Sequence, residues 1–343
     1  MKTIHTLAFF IALTLNLTSC ASSSTKNESI SVQAKDLAHS INTAVKPSIL
    51  PYKLRFPVRG HLNTDYFFTN YVDHNTKKGS VLDSNCGIKT YDGHQGTDIA
   101  ISDFKAMEQG VEVLAAADGV VYKVHDGEFD RHNVLKKSMP ANFVNIHHAG
   151  GLTTLYYHLK KDSITVKVGD SIKAGDVLGL VGSSGFSSGP HLHFATYING
   201  KLVDPFSGAC NQKASLWESE AKYETTFRVW ASGITTETEI TSQRLKESLA
   251  HEPTVSTSAE RITFWVHFLN APENQNISFQ FIRPDGSLHT LYNSQSEKYK
   301  PDGWFWGYTK VVDTDMTRHL GRWTVEFAHE GKVLASSAFM LLE

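Results

Sequence analysis

The feature that most constrains the fold is a succession of short β-type runs separated by glycine-containing turns. Two runs flank Asp118-Gly119, and two more flank the sequence AGG at 149–151. Short runs rich in Val, Ile and Tyr that are bounded by such turns are typical of hairpins in antiparallel sheets. The chain is therefore predicted to be mainly β with little helix. The runs lie at 111–116, 120–124, 143–147, 152–158, 177–181 and 191–197.

A second β domain is predicted at the C-terminal end, because the strand signals change character there. Regular short strands with turn signals, at 284–286 and 330–331 among others, favour a β-sandwich. The Glu-, Lys- and Ser-rich passage between the two domains predicts a linker. The predicted sandwich contains no group of residues that carries chemistry. We therefore expect its role to be binding, or spacing or positioning of the first domain. The boundaries are 51–212 for the first domain, 213–224 for the linker and 225–343 for the sandwich.

The N-terminus has the pattern of an export signal. A lysine and a short apolar run at 7–17 precede the sequence LTSC, which ends at Cys20. That run is too short for a membrane span, which needs about 20 apolar residues. The last four residues resemble the lipobox of bacterial lipoproteins, which implies a signal peptide at 1–20 and a lipid anchor on Cys20. A plain cleaved signal with an incidental cysteine is the alternative.

The expected location follows from this N-terminus. Residues 21–50 are polar and poor in apolar side chains, which predicts a flexible tether. The residue after Cys20 is alanine, which is compatible with an outer-membrane lipoprotein facing the periplasm. Cys86 and Cys210 remain as an even pair in an oxidising compartment, so a disulfide between them is plausible. Two free buried thiols are the alternative.

Composition limits the function classes. The formal net charge is −2, which gives no support to a nucleic-acid partner, because such binding depends on clustered Lys and Arg. The two remaining cysteines are too few for a Cys₄ zinc site. The chain has 17 histidines, more than are needed to balance its charges. We therefore examine the histidines as candidate metal ligands.

Three short motifs, spread over about a hundred residues, carry the candidate chemistry. In HQGTD (94–98), a glycine between a histidine and a carboxylate lets a tight backbone direct both side chains to one point. YHL (157–159) ends a predicted strand. In HLHF (191–194), strand alternation places the two histidines on one face, with Leu192 and Phe194 toward a core. Each motif alone is weak, but their joint presence in one β domain is specific.

With these motifs the sequence resembles the lysostaphin-type zinc metallopeptidases. Their signature is His-x-Gly-x-Asp, then Tyr-x-His-Leu or similar, then His-Leu-His. The likeness extends to YDGHQGTD at 91–98 and to the glycine-rich approach GSSG at 182–185, and it covers roughly residues 54–206. It implies an antiparallel β-sheet peptidase domain.

Carried over position by position, the resemblance implies roles for five residues. His94, Asp98 and His193 would be the ligands of one Zn²⁺ per chain, and His158 and His191 would be catalytic histidines that do not bind it. Three N/O ligands leave a fourth position for water, which is typical of a catalytic zinc site. Histidine is suited to exchanging protons with that water and with a leaving amine.

The substrate also follows from the resemblance. It implies a zinc endopeptidase that hydrolyses the peptide cross-links of bacterial peptidoglycan by attack of a metal-bound water. For an exported Gram-negative lipoprotein, directly cross-linked stem peptides fit better than pentaglycine bridges. Some relatives lack ligands and act as activators or binding modules. A non-catalytic or regulatory zinc-binding lipoprotein, which binds peptidoglycan or activates another hydrolase, is therefore the alternative function.

Two further features of the sequence bear on the site. A polar stretch from His125 to Phe143 is longer than in compact members of the family, and we expect this loop to border the groove. The sequence GFSSG at 185–189 fits the nucleophile elbow of serine hydrolases, which requires a helix directly after Ser187. Pro190 and a predicted strand follow instead, so we interpret this match as accidental.

Overall fold

The computed structural model describes residues 53–132, 134–296, 298–312 and 314–343. The predicted signal peptide, Cys20 and the tether lie outside these residues. Within them, no helix is both long enough and apolar enough to cross a membrane.

Strands dominate both halves of the described chain, as predicted. The N-terminal half contains β1 (Tyr66–Asn70), β2 (Thr97–Ile101), α1 (Phe104–Gln109), β3 (Glu112–Leu114), β4 (Gly119–His125), β5 (Phe143–His147), a 3₁₀ turn (Ala149–Gly151), β6 (Leu152–Tyr157), β7 (Ser171–Ile172), β8 (Val177–Leu180), β9 (His191–Ile198) and β10 (Lys201–Val203). The C-terminal half contains β11 (Arg228–Thr235), α2 (Ser242–Lys246), β12 (Thr254–Ser256), β13 (Arg261–Ala271), β14 (Gln275–Ile282), β15 (Leu288–Ser296), β16 (Lys300–Lys310), a 3₁₀ turn (Asp315–Arg318), β17 (Gly321–His329) and β18 (Lys332–Leu342).

One large antiparallel sheet forms the first domain. Its strand order is β1-β2-β9-β6-β5-β4-β7, and β10 pairs with β9. The predicted hairpin of β5 and β6 is confirmed, with Phe143 opposite Tyr157. Leu192 and Phe194 of β9 are fully buried, which confirms the predicted alternation of that strand. The sheet thus keeps one face of β9 in the core and leaves its histidines on the other.

The hairpin predicted across Asp118-Gly119 is wrong. β3 pairs with β8 in a separate two-stranded sheet, whereas β4 pairs with β5 and β7. The buried Ala115 donates its backbone N–H to Asp176 and accepts one from Gly175, so the chain leaves β3 toward a different partner. Alternation and turn residues identify strands, but pairing here is decided by contacts with residues about 60 positions away.

The C-terminal half is a β-sandwich. A three-stranded sheet (β11-β13-β16) faces a five-stranded sheet (β12-β18-β17-β14-β15), and β12 and β18 form its parallel pair. The predicted turns are confirmed: β14 leads into β15, and β17 into β18. Inward-facing side chains of both sheets make one core, in which Phe264 of β13 packs edge-on against Phe279 of β14.

The passage predicted to be a linker is packed against the first domain. Leu54 exchanges backbone hydrogen bonds with Leu216 and Glu218. Trp217 is 1% exposed and stacks on Phe56 at 4.6 Å between ring centroids. Its ring also lies 5.6 Å from that of Phe194, beneath β9. The many polar residues of this passage suggested a linker, but the buried Trp217 anchors it to the core, and Leu216 and Tyr223 pack against the same core.

The two cysteines of the first domain form a disulfide. Cys86 and Cys210 have Cα atoms 5.1 Å apart and are separated by 124 positions in sequence. Of the two alternatives open from the sequence, the structure therefore has the bonded pair, in which Cys86 adopts a left-handed backbone (φ 65°).

Replacing Trp217 with alanine should lower the free energy of unfolding by about 3–5 kcal/mol, the usual cost of emptying a buried aromatic site. Chemical denaturation followed by circular dichroism measures this change. Trp306→Ala is the matched control, because that tryptophan is 38% exposed. Equal losses in both variants would contradict the packing of residues 213–224 described above.

Candidate active site

One row of side chains runs across four neighbouring strands of the large sheet. Asn70 of β1 lies opposite Asp98 of β2, Asp98 lies opposite His193 of β9, and His193 lies opposite Tyr157 of β6. Directly opposite residues in antiparallel strands have β-carbons about 4.5–5.5 Å apart. Strand register alone therefore brings the carboxylate of the first motif to the last histidine of the third.

His94 reaches the same point from the turn that precedes β2. Gly93 adopts a left-handed backbone (φ 76°), and its N–H donates to the Asp73 carboxylate. The backbone N–H of Asp73 donates to the carbonyl of His94 at 2.9 Å. The buried imidazole of His94 stacks on Tyr91, with ring centroids 4.3 Å apart.

Three ligand-type atoms converge here. His94 Nε2 lies 3.1 Å from Asp98 Oδ1 and 3.1 Å from His193 Nδ1, and the latter two atoms are 2.9 Å apart. Tetrahedral zinc with bonds of about 2.0–2.1 Å needs ligand atoms roughly 3.3 Å apart. The donor set and its spacing therefore fit one zinc ion, with room for a fourth ligand.

The partners of these residues orient them for a metal. His94 Nδ1–H donates to the Tyr71 carbonyl at 2.7 Å, which leaves the lone pair on Nε2. Asn70 Nδ2 donates to Asp98 Oδ2 at 3.0 Å and leaves Oδ1 for the metal. A β-carbon at Gly96 would lie 2.6 Å from His193 Nε2, so the glycine of HQGTD makes room for that ring.

The electrostatics of the site favour an ionised carboxylate. Burial alone would raise the pKa of Asp98, but the adjacent His94 and His193 hold it well below its ordinary range. At neutral pH the site therefore presents one anionic and two imidazole ligands, and a zinc ion bound to them would leave the centre with a charge of about +1.

His158 and His191 lie beside this cluster. Their ring centroids are 4.7 Å apart, and His191 Nε2 is 3.8 Å from Asp98 Oδ1. His158 has a left-handed backbone (φ 64°), and its Nδ1–H donates to the Ser184 carbonyl at 2.7 Å. His191 Nδ1–H donates to the Gly189 carbonyl at 2.8 Å. Each ring thus keeps its Nε2 lone pair for a substrate or a water.

Burial, together with the neighbouring His191 and His193, lowers the pKa of His158 to about 3. Its imidazole is therefore neutral at pH 7, in line with the acceptor role of its Nε2. The structure brings together all five residues that the sequence singles out.

Ser187 does not form a nucleophile elbow. Its hydroxyl donates to the Gly189 carbonyl at 2.8 Å, and the chain continues through Pro190 into β9 rather than into a helix. Its Oγ lies 3.2 Å from His191 Nδ1, so this serine is a neighbour of the candidate histidine within its supporting loop.

A groove passes over the cluster and has two parts. The loop-side pocket is lined by the 125–142 loop, including Lys137, Met139 and Pro140, together with Tyr157. This loop borders the groove as expected. The sandwich-side pocket, about 390 Å³, is lined by Lys246, His267, Asp302 and Trp304 as well as by Asp98, His158 and His191. Tyr91, His158 and Phe186 line both pockets.

Comparison with known proteins agrees with this geometry. Residues 92–205 match peptidase family M23. The chain carries an M23 peptidase domain. The matched residues begin just before the turn that presents His94 and end after β10, so they include all five candidate residues.

Curated relatives of the M23 domain include named peptidases. An uncharacterized metalloprotease of Buchnera aphidicola is 32% identical over 159 residues, 46% of this chain and 34% of that protein. The DD-carboxypeptidase/endopeptidase Mpg of Neisseria meningitidis is 38% identical over 123 residues, 36% of this chain and 24% of its own. The peptidoglycan DD-endopeptidase ShyC of Vibrio cholerae is 32% identical, with the same coverage. The chain thus spans 24–34% of the length of these relatives.

Asn70 is a contributor to the M23 site that the sequence motifs do not reveal. Replacing Asn70 with alanine should weaken zinc binding by about 10–100-fold, the usual effect of removing a hydrogen bond to a metal ligand. Competition with a chromophoric zinc chelator measures the affinity. Asn293→Ala, an exposed asparagine of β15, is the control and should bind zinc as the unaltered chain does. Equal zinc affinity in the two variants would show that Asn70 does not contribute to zinc binding.

Proposed function

We propose that this chain is a zinc-dependent endopeptidase that hydrolyses the peptide cross-links of bacterial peptidoglycan, with His94, Asp98 and His193 as the metal ligands. The observation that carries the proposal is the convergence of His94 Nε2, Asp98 Oδ1 and His193 Nδ1 within 3.1 Å of one another at the base of a groove. When bound there, zinc supplies a Lewis acid for the scissile carbonyl and lowers the pKa of a water.

The chain's own residues have distinct tasks in this proposal. The groove holds an extended peptide across the cluster and excludes bulk water from its base. His158 and His191 keep their Nε2 atoms free because their Nδ1 protons are bound to main-chain carbonyls. One of them accepts a proton at Nε2 from the attacking water and, as an imidazolium, then delivers that proton to the leaving amine. The neutral ring of the other accepts a hydrogen bond at Nε2 from the substrate or from a water.

The proposed substrate rests on likeness and on the N-terminus. Two of the relatives are named for DD-peptidase activity, and one of these is named for peptidoglycan. The export pattern at residues 1–20 would bring the chain to the compartment that contains this polymer. Directly cross-linked stem peptides are the proposed substrate class.

Purified sacculi provide the test. The chain should release soluble muropeptides, and a chelator should abolish the release until zinc is restored. Asp98→Ala and His193→Ala should each lower the rate of hydrolysis by at least about 10³-fold, because each variant lacks one of the three zinc ligands. Muropeptides are quantified by chromatography and mass spectrometry.

His251→Ala is the matched control for those variants, since this histidine belongs to the sandwich and lies outside the groove. Hydrolysis that persists in Asp98→Ala with full zinc content would refute the ligand assignment. A zinc-loaded chain that binds sacculi and releases nothing would favour the binding or regulatory alternative.

We also propose that the chain is an outer-membrane lipoprotein anchored through Cys20. The support is the sequence LTSC at 17–20 and the alanine that follows it. In cells that express the chain, palmitate should label the unaltered protein and should not label Cys20→Ser. Cys86→Ser should still be labelled, and equal labelling of all three proteins would exclude this anchor.

A further inference from the structure

The sandwich contributes one wall of the groove. Lys246 comes from the end of α2, His267 from β13, and Asp302 and Trp304 from β16. His267 and Trp304 are register partners on neighbouring strands. The same pocket is also lined by Asp98, His158 and His191. A peptide lying over the cluster therefore extends along side chains of the sandwich.

The sandwich is held in this position by contacts with the M23 domain. Phe67 of β1 is 1% exposed, and its ring lies 4.7 Å from that of Trp230 and 5.7 Å from that of His267. Arg131 of the 125–142 loop forms an ion pair with Glu247, the residue after Lys246. These contacts fix β13 and the end of α2 beside the cluster.

His267 is a buried polar side chain whose ring nitrogens lack hydrogen-bond partners among the described residues. The side chain is 2% exposed. Its ring stacks on Trp304 at 4.2 Å, and Nε2 lies 3.9 Å from Asp302 Oδ2, beyond hydrogen-bond distance. A neutral imidazole donates from one nitrogen and accepts at the other, as a peptide backbone requires.

Lys246 adds a cation to the same wall. Its ammonium donates to the carbonyl of Ser188, in the loop that leads to His191. A β-carbon at Gly189 would lie 3.7 Å from Lys246 Nζ, so the charge sits directly above this loop. An ammonium group has three donors, and the Ser188 carbonyl occupies one of them.

We propose that the sandwich-side pocket is a substrate subsite, in which Lys246 binds a carboxylate of the cross-linked peptide while His267 hydrogen-bonds to its backbone beside Trp304. This rests on the proposed function. A peptide stem that ends close to the cleaved bond presents such a carboxylate. The subsite would make the sandwich part of the substrate-binding surface, and it would favour acidic stems over neutral ones.

The test uses the full chain and a matched pair of cross-linked muropeptides, one with free stem carboxylates and one with these groups amidated. The unaltered chain should cleave the free form with a kcat/KM about tenfold higher. Lys246→Met should abolish this preference. His267→Phe should raise KM about tenfold for both forms and leave kcat within about twofold, because it acts on binding alone.

The controls separate the subsite from general effects of mutation. Lys332→Met removes an exposed lysine at the start of β18. His329→Phe replaces another sandwich histidine that packs edge-on against an aromatic ring and has an unpartnered Nε2, away from the groove. Both controls should keep the KM values and the preference of the unaltered chain. His267→Phe preserves the ring stack, so its fold should be retained.

Equilibrium binding provides a readout that does not depend on hydrolysis. Calorimetric titration with the uncross-linked muropeptide, free or amidated, should show the same tenfold preference and its loss in Lys246→Met. A tenfold preference that persists in Lys246→Met, together with an unaltered KM in His267→Phe, would overturn the subsite. A chain that shows the preference in binding but hydrolyses nothing would keep the subsite and refute the proposed peptidase.

Discussion

The site depends on the pairing of β2 with β9. This register sets Asp98 opposite His193, and the flanking strands add Asn70 on one side and Tyr157 on the other. A shift of one residue in either strand would turn these side chains to the opposite face of the sheet. The buried Leu192 and Phe194 oppose such a shift, because it would expose both. Core packing on one face of β9 therefore fixes the ligand geometry on the other.

Much of the site is local in sequence, and this is why it can be predicted. Alternation in HLHF gives the facing of His191 and His193 without knowledge of the rest of the chain. What the motifs leave out comes from distant segments: Asn70 from an edge strand, and the Tyr71 and Ser184 carbonyls that orient His94 and His158. Main-chain acceptors have no residue-type signature, so no sequence pattern identifies them.

The fold likewise has features that the sequence predicts and features that depend on tertiary contacts. Strand positions and the turns at 284–286 and 330–331 follow from alternation and turn residues, and the structure agrees. The partner of β3 does not follow, because it depends on contacts across the domain. Trp217 is a similar case: it lies in a passage rich in Glu, Lys and Ser, and only the fold shows its ring against Phe56 and Phe194. The contribution of the sandwich to the groove also depends on tertiary structure, because Lys246, His267 and Asp302 belong to no common sequence motif.

The disulfide turns most of the M23 domain into a covalently closed loop of chain. Cys86 and Cys210 close a ring that contains all five candidate residues and the 125–142 loop. A single backbone cut in that loop would separate His94 and Asp98 from the three later histidines in the linear chain. The two pieces would nevertheless stay joined through sulfur, with β2 still paired to β9. A chain cut once by a protease in this loop would in this way keep its two pieces in register.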